Sequence, residues 1–418
     1  MRTIYFSAHL DDAILSCGGL IYDQTKRGIP VEIWTYFCGV PKGESETPYM
    51  NRADENCRAA NIVGAKPVNE YLLDAFGRGY KTVFTPIDYD KESIDEIVAG
   101  IERQIKPEDK LMVPLGVGEH VDHVVLRKAC EQLNLPLTYY IDFPYIEYQP
   151  EKLNDVIQEL KKYAVTISPE GLSHWVDAVK EYASQAFYET PEITREKIIN
   201  YWAPINGILL WEKPSTEQIF TKIYHENAWK DDQTASGPGS RLEETEIIRS
   251  ELPRLIEKYK INSILDLPCG DFFWMRTVDL NIDYTGADIV LDMIRNNQLH
   301  YGSYSNKRFI CIDILGNRIP SADLFLCRDC LPHLSQKDVL QAIKSIISST
   351  CSYLFTTTFP EVETNLDIVT GAWRPINLQI HPYNFPIPLE SFDEQSPNKL
   401  YGIKCMSLWA IKDIKDII

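Results

Sequence analysis

The sequence predicts an α/β fold in two tandem doubly wound units. Three observations predict it: the chain's length, short apolar runs alternating with helical patterns, and an alternation that starts twice. At 418 residues, the chain exceeds what one ordinary core accommodates, since domains run to about 100–200 residues. A hydrophobic fraction of 44% with 24% charged residues and no low-complexity tract is the composition of folded chains.

In the first unit, Thr3 to Ala8 reads as a buried strand and the stretch to Arg27 as a helix stopped by Gly28. Val31 to Phe37 is a second strand and Lys110 to Leu115 a third. A helix over about Val121 to Leu133 and a strand over Leu137 to Phe143 follow. After about residue 150 strands are expected to cease, with helices over Leu153–Tyr163 and Ser173–Ser184 and a Pro-containing stretch over Trp211–Ser215. Then the alternation restarts: a helix over Leu252–Lys260 and strands over Ser263–Leu267, Tyr284–Ile289, Arg308–Ile312 and Asp323–Cys327. A boundary near residues 212–220 divides the chain into domains 1–213 and 214–418. The polar run Lys230 to Ser240 reads as a loop of the second domain.

Sixty acidic against 42 basic residues give a formal charge of -18, which repels polyanions and argues against nucleic acid as a partner. The opening MRTIYFSAHLDD lacks a charged segment before a longer apolar run, and no stretch approaches the roughly 18 apolar residues of a membrane span. The expectation is a soluble, cytoplasmic protein whose oligomeric state the sequence leaves open. Ten scattered cysteines suit a reducing compartment. Cys327 and Cys330 form a lone CxxC, read as structural packing.

His9, Asp11 and Asp12 follow the first strand at its carboxyl end, where open α/β sheets bind their ligands. An imidazole and a carboxylate three residues apart in such a turn can reach one zinc ion, with Asp11 left free beside it. The segment His120-Val121-Asp122-His123, after another strand, can supply a third ligand. Three protein ligands leave a position for water, the catalytic arrangement, and the chemistry suggested is amide hydrolysis. The competing reading makes His9 a core histidine and the two aspartates helix caps.

Ala8-His9-Leu10-Asp11-Asp12-Ala13 and His120-Val121-Asp122-His123 resemble the A-H-P-D-D-E and H-x-D-H motifs of the LmbE/PIG-L family of zinc-dependent sugar N-deacetylases. The likeness extends over about the first 210 residues, through Gly18-Gly19, Arg52-Ala53-Asp54-Glu55 and Tyr139-Tyr140-Ile141-Asp142. It implies Zn2+ held by His9, Asp12 and His123, Asp11 as general base and His120 stabilising the oxyanion. Arg52 would then stand at the rim of the sugar site. Leu10 and Ala13 depart from the family pattern, the latter removing a second-shell carboxylate of the kind that tunes a metal site.

In the second unit, Ile264-Leu265-Asp266-Leu267-Pro268-Cys269-Gly270-Asp271 is a strand entering a tight turn. Asp288 closes the next strand twenty-two residues beyond Asp266, near the spacing at which an acidic side chain meets ribose hydroxyls. Asp313 ends the third strand, and Arg328-Asp329 the fourth, with His333 in the following turn. The G-x-G-x-x-G that seats a pyrophosphate is missing, which argues against a dinucleotide.

This segment resembles class I S-adenosylmethionine-dependent methyltransferases, although only one glycine of their D-x-G-x-G-x-G remains. More specifically it is similar to a bacterial subfamily of glycan gene clusters, over about residues 218–411. That likeness rests on Ser236-Gly237-Pro238-Gly239-Ser240, Leu267 to Met275, Cys327 to Leu334, Thr356 to Pro360 and Gly371 to Asn377. It implies that Asp266 and Gly270 contact the methionine end of S-adenosylmethionine, Asp288 the ribose and Asp313 the adenine amine. Asp329 and His333 are the candidate bases, or else hydrogen-bonding residues of the cofactor loop. Trp373, Arg374 and Asn377 are candidates for the acceptor pocket, their ordinary alternative being packing.

Together the resemblances imply two Rossmann-like units. The first would deacetylate an N-acetylated amino sugar, free or carrier-linked, and the second would methylate the same or a related sugar. The alternative is a methyltransferase carrying a degenerate, glycan-binding deacetylase-like domain.

Overall fold

The computed structural model describes residues 1–84, 90–133, 135–184, 191–202, 204, 207–316, 318–396 and 402–415. The chain forms two compact units, Met1–Pro214 and Ser215–Ile418. Among the described residues no helix is long and apolar enough to cross a membrane.

The first unit is built on a seven-stranded mixed sheet: β1 (Thr3–Ser7), β2 (Val31–Thr35), β3 (Lys66–Asn69), β4 (Lys110–Pro114), β5 (Leu137–Tyr140), β6 (Lys161–Thr166) and β7 (Gly207–Glu212). Their order is β3-β2-β1-β4-β5-β7-β6. The first five run parallel, whereas β7 pairs antiparallel with both β5 and β6. β1 is buried at every position, as expected of a central parallel strand covered on both faces.

The expectation that strands cease after residue 150 is corrected here. The chain predicted helical over Leu153–Tyr163 is a short helix, Leu153–Ile157, followed by β6. β6 is an edge strand with no buried side chain, so its polar composition imitates a surface helix. The apolar run before the proline-containing stretch is β7, which extends through Trp211 and Glu212.

The second unit repeats the plan with β8 (Ser263–Asp266), β9 (Asp283–Asp288), β10 (Lys307–Cys311), β11 (Leu324–Cys327), β12 (Tyr353–Thr358), β13 (Glu390–Asp393) and β14 (Cys405–Ala410). Their order is β10-β9-β8-β11-β12-β14-β13, with β14 antiparallel to both neighbours. β12, β13 and β14 extend the sheet beyond the strands expected from sequence, and the sheet is mixed. The first unit has an apolar core around Phe6, Trp34 and Val113, and the second has two apolar clusters, one around Leu265 and Phe325 and one around Ile264 and Leu326.

One helix contact in the first unit places catalytic candidates. The helix Asp12–Lys26 crosses the helix Pro169–Val179 at Gly18 and Gly19, where Trp175 fills the space a side chain would take. A Cβ on Gly18 would stand 2.3 Å from Trp175 Cδ1. The indole also donates to the Ile14 carbonyl at 2.6 Å, anchoring the first turn of the helix that begins at Asp12.

Candidate active sites

Because β1, β4 and β5 are parallel neighbours, their carboxyl ends lie side by side, and the turns that follow them carry His9–Asp12, His120–His123 and Asp142. Asp12 starts its helix, and its Oδ2 accepts from the His9 backbone N–H at 2.6 Å, closing the turn. The same oxygen lies 3.3 Å from His9 Nδ1 and 3.3 Å from His123 Nε2. Ligand atoms of His9, Asp12 and His123 all fall within 4.8 Å of one another.

Each imidazole is held from behind. His9 Nε2 meets Asp122 Oδ2 at 2.9 Å, and His123 Nδ1 meets Asp142 Oδ1 at 2.6 Å. Metal-binding histidines characteristically pass their second nitrogen to a carboxylate in this way, which fixes tautomer and ring orientation. His123 Nε2 is a buried polar atom with no hydrogen-bond partner. An unpaired buried nitrogen is costly unless something binds it. The donor set, two imidazole nitrogens and a carboxylate oxygen, is one that zinc accepts. His9, His120 and Asp122 form a second, overlapping group that meets the same distance criterion. In that second group Asp122 is already engaged by His9, the Ala75 N–H at 3.1 Å and Arg78 at 2.9 Å.

Asp11 borders the same cleft, of ≈ 580 Å³, with His120, Tyr145 and Arg52 among its lining. Burial, reinforced by the charge of Asp12, pushes the Asp11 carboxyl up to about 6. Burial and the neighbouring His123 and His9 push His120 down to about 3, so its ring is neutral near pH 7. Its Nδ1 accepts from the Asp122 backbone N–H at 3.3 Å, which leaves the ring proton on Nε2. Arg52 is exposed on the helix Thr47–Ile62 at the cleft edge.

Residues 4–134 match the PIG-L family, described as GlcNAc-PI de-N-acetylase. The chain is also similar to the 2'-N-acetylparomamine deacetylase of Streptomyces fradiae, 29% identical over 164 residues. That match covers 34% of this chain and spans 57% of the relative. Among solved structures, the zinc-inhibited form of teicoplanin deacetylase Orf2 matches at 20% identity with a TM-score of 0.43, over 51% of this chain and 97% of that one. The N-methyltransferase NodS from Bradyrhizobium japonicum WM9, in complex with S-adenosyl-l-homocysteine, matches at 12% identity with a TM-score of 0.37, over 46% of this chain and 97% of that one.

Beyond the PIG-L match, the second unit has a cleft of ≈ 570 Å³ at the carboxyl ends of its parallel strands. Asp266, Gly270, Asp288, Asp313, Asp329, His333 and Trp373 all line it. Asp266 accepts from the Tyr284 hydroxyl at 2.5 Å, and burial pushes its carboxyl up to about 7. Asp288, raised by burial to about 6, takes the backbone N–H of Gly270 and of Val290.

The structure does not bring Arg374 and Asn377 to this cleft. Both are buried. Arg374 donates to the carbonyls of Leu366, Leu331 and Pro332 and so braces the turn carrying His333. Asn377 donates to the carbonyls of Pro360 and Val362. Asp329 is ion-paired: its Oδ2 lies 2.6 Å from Lys404 Nζ and 3.2 Å from Arg328. Burial would raise this carboxyl, but the two cations outweigh it and hold it at about 2. His333 Nδ1 is 2.9 Å from the Ala372 carbonyl, which makes that nitrogen the donor and leaves Nε2 as the acceptor. Burial lowers its pKa, favouring the neutral ring.

Asp142, Asp122, Arg78 and Lys404 have partners in these sites that the sequence alone does not assign. The first had a usable signal, since it follows a parallel strand as His9 does. Lys404 had none, because β14 is brought beside β12 only by the sheet.

Proposed function

We propose that the chain is a bifunctional enzyme in which residues 1–213 hydrolyse the acetamide of an N-acetylated amino sugar and residues 214–418 transfer a methyl group from S-adenosylmethionine. Both units are read as Rossmann-like. The observation that carries the first half is the convergence of His9 Nδ1, Asp12 Oδ2 and His123 Nε2, with both histidines backed by buried carboxylates.

These three residues would hold zinc, which when bound supplies the Lewis acidity that polarises an amide carbonyl and activates water near neutral pH. Asp11, at about 6, is suited to take the proton from the attacking water and return it to the departing amine. His120, neutral with its proton on Nε2, can donate a hydrogen bond to the developing oxyanion without carrying charge. Arg52 would meet the sugar at the rim.

For the second half, the support is one cleft lined by Asp266, Asp288 and Asp313, each at the end of a successive parallel strand. His333 is the better proton acceptor of the two candidates, since Asp329 is neutralised by Lys404. Trp373 remains the acceptor-pocket candidate. The amine exposed by the first unit, or a hydroxyl beside it, would be the methyl acceptor of the second, and fusion raises its effective concentration there.

The test is to incubate zinc-loaded wild type and Asp11→Ala with N-acetylated sugars and their nucleotide-linked forms, recording acetate and metal content. Acetate from wild type alone supports the reading. No acetate together with no bound metal returns the first unit to a glycan-binding role.

A further inference from the structure

The turn after β8 keeps Gly270 alone of the three glycines that usually cradle the amino-acid end of S-adenosylmethionine, and even that glycine is covered. Gly270 has φ +57°, and a Cβ there would lie 2.1 Å from Ser236 Oγ. The residue standing over it belongs to a segment more than thirty positions upstream.

That segment is fastened at both ends. The Asp271 carboxylate accepts from Thr234 Oγ1 at 2.8 and 2.9 Å, the Ala235 N–H at 2.8 Å and Ser236 Oγ at 3.0 Å. In return Ser236 Oγ accepts from the Asp271 N–H at 2.9 Å. At the other end, buried Arg328 donates to the Gly239 carbonyl at 2.7 Å while paired with Glu394 at 2.8 Å. Gly239 passes directly over the Lys404–Asp329 ion pair: a Cβ there would be 2.8 Å from Asp329 Oδ2 and 3.8 Å from Lys404 Nζ. The bare glycine keeps that pair open to the cleft, which all three residues line.

Strand order supplies the direction. Asp313, Asp288 and Asp266 stand at the ends of β10, β9 and β8, and Arg328-Asp329 follow β11, the next strand in the sheet. A cofactor laid with adenine at β10 and ribose at β9 delivers its remaining end between β8 and β11. That end carries a carboxylate and an ammonium. Lys404, which also meets Glu394 Oε2 at 2.9 Å, and Asp329, which also meets Arg328 at 3.2 Å, set opposite charges side by side in a network whose polar atoms the two ligand charges can join, and charge-assisted hydrogen bonds of this kind are the strong ones.

We propose that the loop Ser236–Ser240, held by Asp271 and Arg328, forms with Lys404 and Asp329 the seat of the cofactor's amino-acid end, replacing the glycines absent after β8. This rests on the reading of the second unit as a methyltransferase. Gly239 decides access to the pair and Asp271 is a positioning residue for the loop.

The test is calorimetric titration of full-length wild type, Lys404→Met and Gly239→Val with S-adenosylhomocysteine and with methylthioadenosine, which keeps the adenosine but lacks the amino-acid end. The expected result is at least tenfold weaker S-adenosylhomocysteine binding in both variants with methylthioadenosine binding unchanged. That unchanged binding also shows that the variants fold. Equal losses for both ligands, or no loss for either, would overturn the inference. Wild type binding neither ligand would overturn the methyltransferase reading itself, and the inference with it.

Discussion

Within the proposed metal cluster, single side chains would have separable duties. Asp11→Asn is expected to retain metal while acetate release falls about 100-fold or more, the range of general acid–base catalysis; metal analysis beside the kinetic assay checks both parts. Asp142→Ala frees His123 Nδ1 and is expected to weaken metal affinity about 10- to 100-fold. Chelator competition reads this, and an unchanged affinity would remove Asp142 from the assignment. Arg78 pairs with the buried carboxylates of Asp122 and Asp90 at 2.9 and 2.7 Å. Arg78→Met should therefore destabilise the first unit by about 3–5 kcal/mol, because it leaves buried charge unpaired; the urea midpoint measures it. In the second unit, Asp266 titrates at about 7 when folded, against roughly 3.9 for a free Asp. The folded state therefore holds a proton that the unfolded chain has released, and this stabilisation is complete below about pH 4 and lost as pH rises through 7. The melting temperature of the second unit should fall between pH 5 and 8, and Asp266→Asn should flatten that dependence.

At the scale of elements, the close crossing of two helices in the first unit is what sets Asp12 in place. Gly18→Ala pushes a methyl group into Trp175, which is buried and bonded to Ile14. Overpacking of this kind costs about 1–3 kcal/mol. Because Ile14 lies two residues from Asp12, the same variant should also bind metal more weakly, and an equilibrium denaturation curve beside a zinc titration separates the two effects. How well an element could be read depended on its burial. β1 and most of the helix after it are buried and rich in apolar side chains, and their patterns stood out. β3 and β6 are edge strands without a fully buried side chain, so their apolar signal is too weak to stand out in the sequence. β14 is wholly buried, yet its partner β12 lies almost fifty residues away, beyond reach of local pattern.

For the whole molecule, two compact units with separate cores are expected to melt in two transitions. Zinc should raise one and S-adenosylhomocysteine the other, each by mass action on its folded site. A single transition raised by both ligands would show that the two cores unfold as one. Local sequence was enough to read two α/β units, to place His9, Asp11, Asp12, His120 and His123 after strands, and to place Asp266 and Asp288 at the ends of strands with Asp313 just beyond another. Those signals are local: an apolar run, then a charged turn. Which groups meet depends on the packed fold. It set Asp142 behind His123, Asp122 and Arg78 behind His9, and Lys404 against Asp329. It also withdrew Arg374 and Asn377 into the packing of their own loops. The physical reason is that a buried charge must find its partner across the sheet, and no spacing along the chain records which strand will stand next to which.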